Sequence, residues 1–202
     1  MCWFHGVASV GWGRSCTARP RVDGMSDVFA EVVSLLRRLG AAEIEHPGGD
    51  LLGHLQRVEQ RLHAHGSGVA LRLAGLAHAV YGTDGFDRQL LGLDDRSTLV
   101  DVVGEEAEHL VYLYAACDRE RTWRPLSAER SVHDRWTGKT VKPPGELLAS
   151  FVDLTTVNEL DVAENARGFT DEDAAGLLDL IRSWEGLGSP QVTSDGYRTL
   201  AR

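Results

Sequence analysis

The chain has 202 residues, of which 30 are acidic and 21 basic, and its formal net charge is −9. This length suits one domain with a real hydrophobic core, and the negative balance argues against a polyanionic nucleic-acid partner. The three cysteines include no C-x-x-C pair, and no apolar run approaches the ~20 residues that cross a bilayer. We therefore expect a cytoplasmic protein without disulfides or a membrane partner.

The first 24 residues differ in composition from the rest. They contain three arginines and a single acidic residue, and they have no apolar run long enough for a signal peptide. We expect residues 1–24 to be a disordered or non-native leader, with translation starting at Met25. Ser26 or Asp27 would then cap a first helix over residues 27–39.

Apolar residues recur at helical spacing through most of the chain, so the predicted class is all-α, with one domain over residues 25–186. An irregular insertion near residues 128–143 is expected to hold a small hairpin around Thr137-Gly138. Residues 187–202 are predicted to be a loose tail. The predicted helices cover residues 27–39, 50–65, 68–81, 97–103, 105–118, 145–165 and 170–184.

Three polar residues interrupt the apolar faces of these helices. His54 shares a face with Leu51 and Val58, His78 lies in an almost wholly apolar helix, and Asp153 follows Phe151 and Val152. A buried unpaired carboxylate costs several kcal/mol, so the three would satisfy one another best around a divalent metal.

The simpler interpretation stands beside this one. A single histidine on a helix is more often a core or capping residue than a ligand, and a single aspartate is usually solvated. By spacing alone the two interpretations are equally supported. His46 would be a possible fourth ligand, because Pro47-Gly48-Gly49 lets the backbone turn towards the helix of His54.

Several segments resemble the HD-domain superfamily. Residues 73–83 (LAGLAHAVYGT) resemble the second histidine motif in the hydrolase domains of bifunctional guanosine tetraphosphate enzymes. Residues 104–111 (GEEAEHLV) resemble the glycine-led helix that follows it, and residues 153–158 (DLTTVN) its late aspartate-asparagine motif. With H-P-G-G at residues 46–49, the chain also resembles a bacterial family of unknown function. The similarity spans roughly residues 27–165 and implies an HD-type helical bundle.

The chain departs from that pattern at the histidine-aspartate pair, where Ala79 replaces the aspartate. Tyr81-Gly82 replaces an acidic pair that serves water activation in the guanosine tetraphosphate hydrolases. The set that remains is His54, His78 and Asp153, a two-histidine, one-carboxylate type suited to iron or manganese.

Residues around this predicted site suggest how a substrate would bind. Tyr81 and Thr83 would orient it, and Arg96 would bind an anionic group.

The resemblance implies a metal-dependent enzyme acting on a small, anionic molecule, with phosphohydrolase the superfamily's usual chemistry. Two alternatives stay open. One is a mononuclear iron oxygenase on the same fold. The other is a non-catalytic ligand-binding or regulatory module, which Ala79 favours. Against this module, a protein without the metal would gain by replacing its buried polar residues with apolar ones.

Overall fold

The computed structural model describes residues 22–201, with side chains from residue 27 onward. Most of the predicted leader, residues 1–21, lies outside this range. The first helix already begins at Val22 and runs through Ser26 and Asp27, so the predicted cap at that position is wrong. Residues that favour a cap do not stop a helix, and no proline interrupts this stretch.

The described chain is mainly α-helical, as predicted, with two short antiparallel hairpins. None of its helices is long and apolar enough to cross a membrane. The helices are α1 (Val22–Arg38), α2 (Leu51–Ala64), α3 (Val69–Ala77), α4 (Arg96–Val103), α5 (Glu105–Ala116), α6 (Arg119–Thr122), α7 (Leu126–Glu129), α8 (Gly145–Asn165), α9 (Asp171–Ser183) and α10 (Pro190–Leu200). The strands are β1 (Glu45–His46), β2 (Gly49–Asp50), β3 (Val132–His133) and β4 (Thr140–Val141).

Helix α3 lies at the centre of the bundle. It packs against α1, α2, α5 and α8, which explains why its sequence is apolar almost all round. Helix α2 approaches it closely at Gly75, where a Cβ atom would lie 2.5 Å from Leu62 Cδ1. The same two helices pack against α8, so all three can direct side chains to one place.

The predicted helix over residues 68–81 is four residues too long at its C-terminal end. Helix α3 ends at Ala77, and Gly82 has a positive φ of 71°. The Val80 carbonyl accepts hydrogen bonds from the backbone N–H groups of Leu90 and Leu91 instead of continuing the helical ladder. Tertiary contacts with the following loop therefore end the helix early and leave His78 at its C-cap.

The two hairpins had different sequence signals. The predicted one is confirmed, with Val132 pairing with Val141 and His133 with Thr140. The pair β1–β2 was not predicted, because two-residue strands leave no alternating pattern to detect. Its turn uses Gly48, at φ +82°, and it fixes the backbone that carries His46.

The predicted loose tail is instead helix α10, which packs on α8 and α9. Ser189 caps it by accepting a hydrogen bond from the Val192 N–H group, and Pro190 occupies its first turn. Val192 and Leu200 are buried. The amphipathic pattern is short and interrupted by Gly196, which is why the sequence signal was weak.

Candidate functional site

A cavity of about 380 Å³ opens where α2, the C-terminal end of α3 and α8 meet. The loop after α3 and the β1–β2 hairpin complete its walls. The lining residues are Glu45, His46, Pro47, His54, His78, Ala79, Thr83, Asp84, Gly85, Phe86, Arg119, Asn158, Glu159 and Val162.

His54 and His78 meet at this cavity. They are 1% and 2% exposed, and their Nε2 atoms lie 3.3 Å apart. His54 lies on the buried face of α2, as its position in the apolar stripe predicts, and His78 caps α3. The sequence prediction that these two residues come together is consistent with this geometry.

Asp161 determines which nitrogen of His54 carries a proton. Its Oδ2 lies 2.7 Å from His54 Nδ1, and Arg57 binds both of its carboxylate oxygens at 2.7 and 2.9 Å. Burial alone would raise the pKa of Asp161, but these hydrogen bonds and the Arg57 charge lower it to about 2. Asp161 is therefore ionised at neutral pH and can only accept, so His54 Nδ1 donates to it.

His78 has its proton on the corresponding nitrogen. Its Nδ1 donates to the Gly75 carbonyl at 2.8 Å. Burial, followed by the neighbouring His54, lowers the pKa of His78 to about 3, so the ring is neutral at physiological pH. The Nε2 atom of His78 consequently holds a lone pair that faces His54.

Asn158 adds a third acceptor. Its Oδ1 lies 3.0 Å from His54 Nε2, while its Nδ2 donates to Glu159 Oε1 at 2.9 Å. Reversing the amide would place two oxygens against each other at Glu159, so this carboxylate fixes which atom faces His54. The Nε2 atom of His54 therefore faces Nε2 of His78 and Oδ1 of Asn158. When His54 is neutral, none of these three atoms has a proton to donate.

The 3.3 Å separation decides which cation fits between the nitrogens. Two nitrogens bound at about 2.05 Å to a tetrahedral ion lie about 3.3 Å apart. An ammonium group hydrogen-bonded at about 2.9 Å would need acceptors nearly 5 Å apart, and a bridging water would need them over 4 Å apart. A small metal ion fits this gap, as does a proton held directly by His54.

His46 lies against the face of His54, with ring centroids 4.0 Å apart. Its Nδ1 is buried and has no hydrogen-bond partner among the described residues. Burial and the neighbouring His54 lower the pKa of His46 to about 4, so this ring is also neutral. The predicted fourth ligand thus borders the site, stacked on the ring face of His54.

Asp153 does not join the pair, which corrects the predicted set of two histidines and one aspartate. Its Oδ1 accepts a hydrogen bond from the Ser189 N–H group at 2.8 Å and lies against Gly188, at the start of α10. Burial raises the pKa of Asp153, although the bond to Ser189 acts in the opposite direction. Within residues 22–201, no group of three His, Cys, Asp or Glu side chains is arranged to hold a metal ion.

Two of the three predicted substrate-binding residues lie elsewhere. Arg96 binds both oxygens of the buried Glu108, at 2.6 and 2.7 Å, and Tyr81 donates to the same carboxylate at 2.9 Å. The Arg96 guanidinium also lies over the Tyr112 ring. This closed cluster joins α4 to α5 and lines no part of the cavity. Thr83 does line the cavity, and its role in substrate binding stays a prediction.

Sequence reasoning missed Asp161 altogether and quoted Asn158 only as part of a motif. The two are three residues apart and so lie on one face of α8, as His54 and Arg57 do on α2. That matching pair of polar positions, one turn apart on each helix, was a detectable signal. The predicted helix over residues 145–165 agrees with α8, so the register was already correct.

Comparison with known proteins gives one match. Residues 35–119 are similar to a family described as a domain of unknown function (DUF6817). The matched segment includes His46, His54 and His78 but ends before Asn158 and Asp161. No curated protein and no solved structure gave a significant match.

Proposed function

We propose that this chain is a diverged HD-like, metal-dependent enzyme acting on a small molecule, with a divalent ion held by His54, His78 and Asn158. The observation that supports this most is that His54 Nε2 lies 3.3 Å from His78 Nε2 and 3.0 Å from Asn158 Oδ1, separations suited to a small metal ion. Two imidazoles and a carbonyl oxygen are acceptable ligands for manganese, iron or zinc. The adjoining cavity leaves open positions for water and substrate, as catalytic metal sites require.

Neighbouring residues hold the three proposed ligand side chains in place. Asp161 keeps the His54 proton on Nδ1 and makes its Nε2 more basic, and Arg57 anchors Asp161 to the Pro47 carbonyl. The Gly75 carbonyl does the same for His78, and Glu159 orients the Asn158 amide. Each proposed ligand side chain therefore has a hydrogen-bond partner of its own, an arrangement typical of metal sites.

Hydrolysis is the reaction that the HD resemblance favours. A bound divalent ion would lower the pKa of a water molecule and polarise the bond to be cleaved. Glu159 lines the cavity and binds the side chain of Asn158, so we expect its carboxylate to accept a proton from that water. It would take the place of the acidic pair that Tyr81-Gly82 replaces in the chain.

A non-catalytic binding module is the second candidate, and one specific feature favours it. If His54 binds a second proton, its Nε2–H group donates to Asn158 Oδ1 and His78 Nε2, and the network is complete without a metal. Ala79, which lines the cavity in place of an acidic ligand, points the same way.

Activity assays with the metal-loaded full chain separate these proposals. Hydrolysis of small phosphate esters, lost in both His54→Ala and His78→Ala but kept in the exposed control His109→Ala, would support the hydrolase. Oxygen consumption that requires iron would favour the oxygenase on the same residues. Metal binding without either reaction would favour the binding module.

A further inference from the structure

The walls of the cavity carry more negative than positive charge. Three carboxylates line it, those of Glu45, Asp84 and Glu159, and Arg119 is the one lysine or arginine among the lining residues described. The first question is therefore whether Arg119 is free to bind an anion.

Arg119 is already committed to partners inside the protein. Its Nη1 donates to Glu159 Oε1 at 2.9 Å, and its Nη2 donates to the Tyr114 hydroxyl at 3.1 Å. The guanidinium also lies 4.7 Å from the centre of the Trp123 ring. Its charge is offset by Glu159, so the pair adds no net charge to the cavity.

The remaining carboxylate oxygens accept no hydrogen bond from the described residues. Asp84 Oδ2 accepts a hydrogen bond from the backbone N–H group of Arg119 at 2.8 Å, whereas no described residue donates to Asp84 Oδ1. Both hydrogen bonds to Glu159 fall on Oε1, which leaves Oε2 open. Glu45, at the rim, is exposed and makes no side-chain hydrogen bond within the described chain. A ligand that fits these walls must supply N–H or O–H donors, and positive charge would strengthen its binding.

The rest of the wall is apolar. Pro47, Ala79, Phe86 and Val162 line the cavity together with the histidines and the carboxylates. A volume of about 380 Å³ accommodates a short alkyl chain but no polymer. The cavity thus combines two buried imidazoles, apolar side chains and carboxylates.

We propose that the ligand of this cavity is a small molecule with a cationic amino group, which the carboxylates of Asp84 and Glu45 bind. The inference rests on the proposed function for the reacting end of the ligand, which would face His54 and His78. It differs from the sequence prediction, which assigned an anionic group of the substrate to Arg96, because Arg96 lies outside the cavity. A phosphate ester at the reacting end is compatible with this amino group at the other end.

Three probes of similar size and different charge test the proposal: butylamine, butyrate and butyl phosphate. Each is titrated into the full chain, with and without added manganese, and followed by ligand-observed NMR. Butylamine is expected to bind, and the two anions are expected to bind at least about tenfold more weakly in the metal-free protein.

Two conservative variants locate the binding. Asp84→Asn removes the charge but keeps an oxygen that can accept the hydrogen bond from the backbone N–H group of Arg119. Glu45→Gln removes the charge of the exposed Glu45. Each is expected to weaken butylamine binding about fivefold. Glu120→Gln is the control, because Glu120 lines the neighbouring cavity beside Arg124 and Asp179 and not this one.

The proposal is overturned if butylamine fails to bind, if either anion binds metal-free protein as tightly, or if Asp84→Asn and Glu45→Gln behave as Glu120→Gln does. These results are independent of the metal. If manganese does not bind while butylamine binds in a charge-dependent way, the proposed enzyme is wrong and the amine site stands.

Discussion

The Nε2 atoms of His54 and His78 lie 3.3 Å apart, and the Nδ1–H group of each ring donates a hydrogen bond to a partner, Asp161 for His54 and the Gly75 carbonyl for His78. Two neutral imidazoles in this arrangement direct lone pairs at each other, which is unfavourable in a buried site. Either a metal ion or a second proton on His54 relieves it. The choice between these two cations decides whether the cavity has metal-dependent chemistry.

The role of Asp161 can be tested against Asp153, since both are buried aspartates on α8. Asp161→Asn is expected to weaken metal binding about 10- to 100-fold, because it removes the carboxylate that orients His54. Asp153→Asn should leave metal affinity unchanged, since Asp153 binds the start of α10 instead. Calorimetric titration with manganese measures both. Equal losses in the two variants would contradict the assignment.

Close packing between α2 and α3 can be tested at Gly75. A Cβ atom there would lie 2.5 Å from Leu62 Cδ1, and Leu62 is itself fully buried. Gly75→Ala is expected to lower the free energy of unfolding by about 1–3 kcal/mol through overpacking. Gly176→Ala in α9 meets no atom within 4 Å and should raise it by up to about 1 kcal/mol. Urea denaturation of both variants gives the comparison, and stabilisation by Gly75→Ala would contradict the packing.

Helix α10 is held to α2 by a charged contact that should depend on pH. Asp195 accepts hydrogen bonds from Arg61 at 2.6 Å and from His65 at 2.9 Å. Burial would raise the pKa of Asp195, but the Arg61 hydrogen bond and charge lower it. The stabilisation is therefore complete above the unfolded-state pKa of about 3.9 and is lost as the pH falls through the lower folded-state value.

Asp195→Asn is accordingly expected to reduce the free energy of unfolding by about 2 kcal/mol at pH 7. The difference from the native chain should shrink as the pH falls below about 3.9, as measured by urea denaturation at pH 7 and at an acidic pH below that value. Asp179→Asn, in an exposed pair with Arg182, is the control and should change little at either pH. A pH-independent effect of Asp195→Asn would show that its charge is not what matters.

Arg96 is expected to matter for stability and not for ligand binding. Arg96→Ala leaves the buried Glu108 carboxylate with only the Tyr81 hydroxyl, which should cost about 3 kcal/mol. Manganese and butylamine affinities should be unchanged, because Arg96 lies outside the cavity. A loss of manganese or butylamine affinity in a variant that is still folded at the assay temperature would show that Arg96 belongs to the ligand-binding site.

The sequence predicted most helices because their apolar stripes are long and regular. Helix α8 matches its predicted range, and α2 differs by one residue at each end. Errors arose where tertiary contacts override local pattern. The loop that binds the Val80 carbonyl shortens α3, and packing on α8 and α9 orders α10.

The sequence predicted part of the site, because polar residues on apolar helix faces are visible in the sequence pattern. His54 and His78 stand out as polar residues on apolar faces, and burial follows from that position. Asp153 satisfied the same criterion, yet its partner is a backbone N–H group at the start of a helix that the sequence pattern did not reveal. Asn158 and Asp161 are identified only when the facing positions of α2 and α8 are known, which requires the three-dimensional packing.

Metal content measured by mass spectrometry after reconstitution of the full chain tests the central claim most directly. We predict about one equivalent of iron, manganese or zinc per chain, lost in His54→Ala and His78→Ala and retained in His109→Ala, with circular dichroism confirming that each variant is folded. If the folded native chain binds no metal, the account is contradicted, and a proton shared by His54 and His78 explains their contact instead.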